Sequence, residues 1–417
     1  MDPRLCVLCR GAKRLCGRSY CPILVELSVF PRIVSVYSSK EVYGSTPPSV
    51  YVGYTRYPRV WIAIGIPPEI GDTRIYDYPE AWSSLPIDKV LEYRLSMVMA
   101  GTHIDAHDVK SRIVETVQEV AIYLSSSDVE AILRSRPRYR PRLSDFEPPT
   151  AIHAKVDDIR VVSTRGSMKA VENAVSDTDA KAVHMIIELY WKGVPVSHIQ
   201  KLLSVGLLGK KTERRLVPTR WAITAVDYTI SKHLVEKIRS FETIDRVELR
   251  MLKKPGNLFI ALLIPGSWSF EWMEAWFPGS VWNPHGTEPI VEGDFEVHRV
   301  KQEVNIGGCY HAARLAVAEH LYARKRQAIA ILWREIYEGF NIPIGVWFVR
   351  ECVRELMKMR PLVFSNVEEA LKEISRVSRL GVDRWVSRSG LLKIVTRTRR
   401  LTQFIKIVRD FDTSPYR

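Results

Sequence analysis

The chain has 417 residues, of which 46% are hydrophobic and 26% are charged, values that are ordinary for a globular protein and exclude a fibrous or disordered chain. The 61 Lys and Arg residues outnumber the 47 Asp and Glu residues, and the resulting net charge of +14 favours a polyanionic partner, nucleic acid first and an anionic membrane second. No stretch approaches the roughly 20 apolar residues that cross a bilayer, so we expect no membrane protein.

Four cysteines near the N-terminus have the spacing of a metal site. Cys6, Cys9, Cys16 and Cys21 form the pattern C-x2-C-x6-C-x4-C. Two close pairs of thiolates suit tetrahedral Zn²⁺, and four protein ligands would leave no open position, so the zinc would be structural. The alternatives are an iron–sulfur cluster, which also accepts four thiolates, and four cysteines without a metal. Clustered rather than dispersed cysteines imply a reducing cytoplasm.

Hydrophobic periodicity predicts an α+β fold, with mixed or antiparallel sheets packed with several helices and a small N-terminal four-cysteine zinc module. We expect a zinc-binding module at 1–24, an N-terminal α+β region at 25–145, a central α/β core at 146–375 and a basic C-terminal region at 376–417. The predicted elements, in chain order, are strands within 49–67, a loop and helix at 78–99, a strand at 113–124, a short helix at 127–133, a strand at 152–162, helices within 167–193, a helix at 196–208, a hairpin of strands at 247–251 and 259–265, a strand at 297–304, and helices at 310–321, 344–359 and 367–379.

Two early segments combine cations with features that suit nucleic acid. Arg56, Tyr57 and Arg59 interleave a ring with cations, an arrangement that stacks a base and pairs with phosphate, although a solvated surface strand also explains it. Residues 134–142 carry five arginines between prolines, which predicts either an extended strap that contacts DNA or a plain linker. Between these segments, the residues from His103 to Asp108 resemble metal ligands in type, but an exposed turn is the better interpretation.

The central stretch, residues 206–231, organises the prediction of an anion site. Its loop carries Lys210, Lys211, Arg214 and Arg215 and leads through Pro218 into a helix. Thr219 stands where a helix N-cap belongs, and Arg220 lies in the first turn. Cations beside free helix N–H groups favour an anion. Further along the helix, Asp227 belongs to a polar stripe next to the apolar one formed by Ile223, Val226, Ile230 and Leu234.

A second glycine turn, residues 305–308, opens a predicted helix. Tyr310, His311 and Arg314 lie in its first turns, where Arg314 is placed to hold an anion. Together with Arg220, Asp227 and Glu351, these residues form a predicted central polar pocket; a buried ion network is the alternative explanation. The aromatic stretch 268–277 predicts core packing, with a stacking platform as the alternative.

Several blocks in the same order resemble the archaeal Nre family. Leu216 to Asp227, LVPTRWAITAVD, is similar to its central signature; PPSVYVG at 47–53, GGCYHAARLAV at 307–317 and GVWFVRE at 345–351 are similar to further blocks. The resemblance implies a role in DNA repair. It also implies a C-terminal motif that docks on the replication sliding clamp, here represented by Gln403, Ile407 and Phe411, although Lys406 occupies the position of the aliphatic residue.

The leading interpretation is therefore a cytoplasmic, nucleoid-associated DNA-repair protein that binds DNA and is recruited to the sliding clamp, with no membrane partner. An enzyme acting on nucleotides or DNA, by nucleotidyl transfer, ADP-ribosyl transfer or nuclease chemistry, is one alternative, for which the sequence contains no recognised nucleophile–base pair. A non-catalytic adaptor of repair proteins is the other. DNA binding that weakens steeply with salt separates the first interpretation from the adaptor.

Overall fold

The computed structural model describes residues 9, 15, 39–136, 152–297, 307–338, 340 and 344–395. The chain falls into two compact units, Met1–His233 with Asn341–Glu351 and Leu234–Phe340 with Cys352–Arg417. The sequence-based boundaries after residues 24, 145 and 375 stay predictions. Within the described ranges, no helix combines the length and the apolar character needed to cross a membrane.

Each unit contains one six-stranded mixed sheet, as the α+β prediction requires. The strands are β1 (Glu41–Thr46), β2 (Val50–Val52), β3 (Arg59–Ile66), β4 (Val98–Asp105), β5 (Ser127–Leu133), β6 (Ile152–Ser163), β7 (Glu242–Thr243), β8 (Val247–Lys254), β9 (Asn257–Ile264), β10 (Ser269–Trp276), β11 (Ile290–Glu296), β12 (Arg326–Gln327), β13 (Ile329–Ile336) and β14 (Leu362–Phe364). The helices are α1 (Ile87–Leu95), α2 (Arg112–Ile122), α3 (Lys169–Ser176), α4 (Ala182–Trp191), α5 (Val196–Ser204), α6 (Thr219–Ile238), α7 (Gly308–Arg324), α8 (Val346–Lys358), α9 (Val367–Ser375) and α10 (Val382–Arg388).

In the first unit the strand order is β1-β5-β6-β4-β3-β2, and all neighbours are antiparallel except β4 and β6. Val60, Ile62 and Ile64 alternate along β3 and are fully buried, because successive side chains of a strand point to opposite faces. Helix α2 packs against β2, β3 and β6 and buries Val114 and Val117 in the same core.

The predictions for residues 113–124 and 127–133 are wrong, since the two elements are exchanged. Residues 112–122 form helix α2 and residues 127–133 form strand β5. Strand β5 lies between β1 and β6, so its backbone groups are paired on both sides. The strand predicted at 297–304 falls almost wholly outside the described residues, and β11 ends before it.

In the second unit the strand order is β11-β10-β13-β9-β8-β14, in which only β10 and β13 are parallel. The predicted hairpin is confirmed: β8 and β9 pair antiparallel around the turn at Pro255 and Gly256. Gly256 has φ +67°, and a Cβ there would lie 2.8 Å from Cβ of Phe340, so both the turn and the packing require glycine.

The aromatic stretch 268–277 packs in the core, as predicted. Trp268, Phe270 and Trp272 are fully buried along or beside β10. Two buried carboxylates hold the C-terminal part of the unit against this sheet. Glu271 accepts the backbone N–H of Gly390 at 2.6 Å, and Glu335 accepts the indole N–H of Trp385 at 3.1 Å. Burial raises the pKa of Glu271 despite these donors.

Candidate nucleic-acid interface

The loop between β2 and β3 presents two cations and a ring to solvent. Arg56, Tyr57 and Arg59 are exposed, and Tyr57 retains 38% of its accessible surface. The backbone of Arg56 is left-handed, with φ 79°, a conformation that is uncommon for arginine. Its carbonyl accepts the N–H of Arg59 at 2.9 Å, which closes the turn before β3 begins.

The first turn of α6 is fixed beside this loop. The Thr219 hydroxyl accepts the backbone N–H of Val52, at the edge of the sheet, at 2.9 Å. Thr219 is therefore not the predicted N-cap; the carbonyl of Pro218 accepts the first helical N–H, that of Ala222, at 2.9 Å. The threonine side chain instead ties the helix start to β2.

This attachment brings the next two residues of α6 onto the loop. The ring of Trp221, 46% exposed, lies 5.1 Å from the ring of Tyr57 at a tilt of 53°. The guanidinium of Arg220 lies 5.5 Å from the ring centre of Tyr54, a cation–π contact. We call Tyr54, Arg56, Tyr57, Arg59, Arg220 and Trp221 the basic–aromatic surface.

Among the described residues, no ion pair neutralises the cations of the basic–aromatic surface. In the part of the chain that the structure describes, Arg56, Arg59 and Arg220 have no carboxylate oxygen within 4.0 Å of their guanidinium nitrogens. Asp105 lies opposite Arg59 in the register of β3 and β4, but its carboxylate bonds His107 at 2.9 Å. Within the described ranges, the surface therefore keeps its three positive charges.

His103 on β4 reports the same positive field. Burial, followed by the charges of Arg56, Lys155 and Arg59, lowers the pKa of His103 below its ordinary value. A neighbouring positive charge disfavours the protonated imidazole. His103 is therefore neutral at physiological pH and adds a ring rather than a charge.

The basic loop before α6 divides into exposed and engaged cations. Lys211 and Arg215 are exposed and Lys210 is half-buried. Arg214 instead donates to three backbone carbonyls, those of Gly209 at 2.8 Å, Val175 at 3.0 Å and Asp177 at 2.5 Å. These bonds fasten the loop to the end of α3.

The basic loop is also tied to the basic–aromatic surface. The N–H of Leu216 donates to the carbonyl of Ala106 at 2.7 Å, and the N–H of Ala106 donates to the carbonyl of Pro58 at 2.8 Å. Arg215, which precedes Leu216, therefore lies beside the β2–β3 loop.

Asp227, two turns further along α6, lies inside the first unit rather than at its surface. Its carboxylate is fully buried, and both of its oxygens accept hydrogen bonds from one guanidinium nitrogen of Arg350, each at 3.1 Å. The side-chain amide of Gln200 donates a third hydrogen bond to the carboxylate at 2.8 Å. The Nε of Arg350 contacts Glu351 at 3.3 Å. Burial of an ion pair is tolerated when its lone pairs and protons are satisfied in this way.

The other predicted pocket residues belong to the second unit. Arg314 on α7 is buried, contacts Glu296 at 2.9 Å and lies 5.6 Å from the ring of Trp268. Burial raises the pKa of the buried Tyr310 hydroxyl, and burial followed by Arg314 lowers the pKa of His311 to about 4. The structure thus places Asp227, Arg350 and Glu351 in one unit and Tyr310, His311 and Arg314 in the other; a role of Arg314 in anion binding stays a prediction.

A small polar cavity of about 40 Å³ lies at the start of α5. Its polar groups are mostly engaged: Lys201 contacts Asp77 at 3.0 Å, and the hydroxyl of Ser197 donates to Glu80 at 2.7 Å. Burial lowers the pKa of His198 to about 3, so its imidazole is neutral. The volume holds a water molecule or two rather than a nucleotide. The lining residues are Pro48, Arg74, Asp77, Tyr78, Leu124, Pro195, Ser197, His198 and Lys201.

Three groups of predicted site residues lie beyond the described ranges. Cys6, Cys16 and Cys21 are outside them, while Cys9 is described and buried. The clamp-binding residues Gln403, Ile407 and Phe411 are outside them, as is the arginine-rich segment after residue 136. In the ranges that remain, no group of three or more His, Cys, Asp or Glu side chains is positioned to hold a metal ion.

Sequence reasoning missed Tyr54 and Trp221 as members of the surface. Trp221 directly follows Arg220 in the first turn of α6. A large ring next to a cation at the start of a helix was the sequence signal that could have identified it. Its partner Tyr57 is separated from it by more than half of the first unit. The structure shows that the two segments meet, through the bond between Thr219 and Val52 and the contact of the two rings.

Comparison with known proteins identifies the family. The family models described as "Archaeal Nre, N-terminal" and "Archaeal Nre, C-terminal" match residues 15–283 and 296–404. The protein named DNA repair protein NreB of Archaeoglobus fulgidus is 44% identical over 400 residues, covering 96% of this chain and 100% of the relative. Two proteins named DNA repair protein NreA are also similar: that of A. fulgidus is 33% identical, with 89% and 93% of the two chains covered, and that of Haloferax volcanii is 32% identical, with 87% and 89% covered. No solved structure matches. The sequence blocks, the two family models and the similar proteins agree, and the chain belongs to the archaeal Nre family.

Proposed function

We propose that this chain acts in DNA repair as a DNA-binding protein and that the basic–aromatic surface is its principal contact with DNA. The names of its relatives support the repair role. The single observation that supports the contact is that Arg56, Arg59 and Arg220 converge around exposed rings without carboxylate partners in the described ranges.

The chemistry of the surface suits a phosphate backbone. A guanidinium is planar and presents paired N–H donors that match two phosphate oxygens, and it remains charged at any physiological pH. Lys211 and Arg215, exposed on the adjoining loop, extend the positive charge beyond the basic–aromatic surface. The net charge of +14 adds long-range attraction for a polyanion.

The proposal is tested by fluorescence anisotropy of labelled DNA with the full chain over a series of salt concentrations. Binding at low ionic strength should weaken linearly on a log–log plot, because each phosphate contact releases condensed counterions. No binding to DNA of any structure at low ionic strength would remove the proposal and leave the non-catalytic adaptor as the better description.

We also propose a structural zinc ion bound by Cys6, Cys9, Cys16 and Cys21, on the basis of their spacing. We expect the purified protein to contain zinc in a one-to-one ratio by elemental analysis. Because structural zinc sites supply folding free energy, Cys6→Ser or chelation should lower the melting temperature and release the metal.

Cys309→Ser is the control for this prediction, since Cys309 belongs to the second unit and lies outside the cluster. If the purified protein instead contains iron and acid-labile sulfide and absorbs visible light, the four cysteines hold an iron–sulfur cluster rather than zinc. Purified protein that contains no metal, and whose melting temperature does not change on chelation, would contradict both the zinc and the iron–sulfur assignments.

A further proposal concerns recruitment to the sliding clamp through residues 403–417. A clamp-docking motif plugs a one-turn helix into a hydrophobic pocket, and Gln403, Ile407 and Phe411 supply degraded forms of its anchors. We expect the full chain to be retarded on a column that carries immobilised sliding clamp. Deletion of residues 403–417 should abolish this retardation. Equal retention of the full and shortened chains on the clamp column would refute the proposal, and DNA affinity measured in parallel shows whether the shortened chain is intact.

The enzyme alternative has less support. Asp227 and Arg350 neutralise each other in the core of the first unit, with Gln200 completing the hydrogen bonds. Packing accounts for these groups without a substrate, and no described observation favours catalysis over binding.

A further inference from the structure

The exposed rings of the basic–aromatic surface distinguish it from a simple phosphate-binding patch. Tyr57 and Trp221 are 38% and 46% exposed and contact each other at a centroid distance of 5.1 Å. Exposed rings scattered singly are ordinary, whereas rings that lie together in one exposed patch often mark an interaction site. A base offers a flat π-face for such a ring, and base–aromatic stacking needs no particular sequence.

The cations are placed to hold a strand along these rings. Arg56 is directly adjacent to Tyr57 in the loop, and Arg220 is directly adjacent to Trp221 in α6. Each ring therefore has a guanidinium on the neighbouring residue, and Arg220 is itself positioned over the ring of Tyr54. Alternation of rings and cations matches the alternation of bases and phosphates in an unpaired strand.

A row of half-buried rings continues from Arg59 across one face of the sheet. Trp61 follows Arg59 by two residues on β3, so the two side chains lie on the same face. The ring of Trp61 lies 5.0 Å from that of His103 and 5.8 Å from that of His153. Lys155, exposed on β6, adds a cation at the same face. These half-buried rings extend the aromatic and basic character of this face of the sheet beyond Arg59.

We infer that the basic–aromatic surface selects DNA with unpaired bases, and that Tyr57 and Trp221 stack on those bases while the arginines contact the phosphates. In a duplex the base faces are stacked on each other, so only the phosphates would remain for this surface. The inference rests on the proposed DNA-binding function and specifies its substrate class.

The test compares the affinity of the full chain for a labelled oligo-dT strand and for a duplex of equal length at the same salt concentration. We expect the single strand to bind roughly tenfold or more tightly. The double variant Tyr57→Ala/Trp221→Ala should lose roughly tenfold or more of the affinity for the single strand and little of the affinity for the duplex. The variant Tyr57→Phe/Trp221→Phe keeps both rings and should retain single-strand binding.

The chain offers a matched control. Tyr228→Ala/Trp191→Ala removes a tyrosine and a tryptophan that are 40% and 46% exposed outside the basic–aromatic surface. This variant should bind both DNAs like the unmodified chain. Melting temperatures of all variants show whether each is folded, and the phenylalanine variant tests the inference even where the alanine variant is unstable.

The outcomes separate the inference from the function it rests on. Equal affinity for strand and duplex, weakened equally by the alanine variant, would overturn the preference for unpaired bases and leave the DNA-binding function intact. No binding to either DNA would remove the function and the inference together. Tighter binding of the corresponding RNA strand would overturn the assignment of DNA as the substrate.

Discussion

Replacing Asp227 with alanine is expected to lower the free energy of unfolding by about 3–5 kcal/mol, because the buried guanidinium of Arg350 loses the carboxylate that accepts two of its hydrogen bonds and keeps the longer contact with Glu351. Asp227 is fully buried and Arg350 is 1% exposed, so bulk water cannot replace the lost carboxylate in the folded state. Gln200 would lose the acceptor of its amide N–H as well. Urea unfolding followed by circular dichroism measures the change.

Two controls separate the buried charge from general damage to the fold. Asp157→Ala removes one partner of an exposed ion pair, that with Arg134, and should change the free energy of unfolding by no more than about 1 kcal/mol. The double variant Asp227→Leu/Arg350→Met removes both members of this ion pair, leaves Glu351 in place and should recover part of the loss. A loss for Asp227→Ala no larger than that for Asp157→Ala would show that Arg350 is not desolvated as described.

Replacing Arg56, Arg59 and Arg220 together with glutamine is expected to weaken single-strand DNA binding on the order of 30-fold near physiological salt. These arginines supply the unneutralised charge of the basic–aromatic surface. For a single strand the slope of log affinity against log salt is about −0.7 per phosphate contact, so the loss of three contacts should make it shallower by about 2. Anisotropy titrations at several salt concentrations give both quantities.

The control for this prediction changes the net charge equally at other places. Lys169, Lys192 and Lys232 are exposed in the first unit and stand outside the basic–aromatic surface. If binding depends on the placement of charge, Lys169→Gln/Lys192→Gln/Lys232→Gln should retain most of the affinity and slope. Equal losses of affinity in the two triple variants would mean that net charge alone attracts DNA and that the basic–aromatic surface is not its principal contact.

The elements that sequence alone predicted correctly are those whose burial and local preference agree. The β8–β9 hairpin combines apolar strands with the turn at Pro255 and Gly256, so the pattern and the turn residues indicate the same structure. Both signals are local, and tertiary packing favours the same structure as they do.

The exchange of α2 and β5 shows the opposite case. In α2 the buried Val114, Val117 and Val120 recur every three residues, which is a helical spacing, whereas the alternation of apolar and polar residues over 113–124 predicted a strand. In β5 the buried Val129 and Ala131 alternate with half-buried and exposed neighbours, which is the period of a strand. Over so short a segment the apolar residues fit both periods, and the buried positions in the structure show which period applies.

The candidate site was predicted in its pieces but not in its assembly. Arg56, Tyr57 and Arg59 were recognised from their order in the sequence, and Arg220 from its place in the first turn of α6. Sequence order contains no information that Trp221 meets Tyr57, or that Arg350, 123 positions further along the chain, is the partner of Asp227. Asp227 and Arg314 each form a buried ion pair within their own unit, which agrees with the ion-network alternative, while their predicted grouping in one pocket stays a prediction.

Photocrosslinking of a single strand that contains iodouracil, followed by mass spectrometry of the adducts, tests most directly whether DNA lies on the basic–aromatic surface. This reagent reacts with aromatic side chains that stack on the modified base, so the predicted adducts are on Tyr57 and Trp221. Adducts confined to other rings, such as Trp191 or Tyr228, with Tyr57 and Trp221 unmodified, would contradict it.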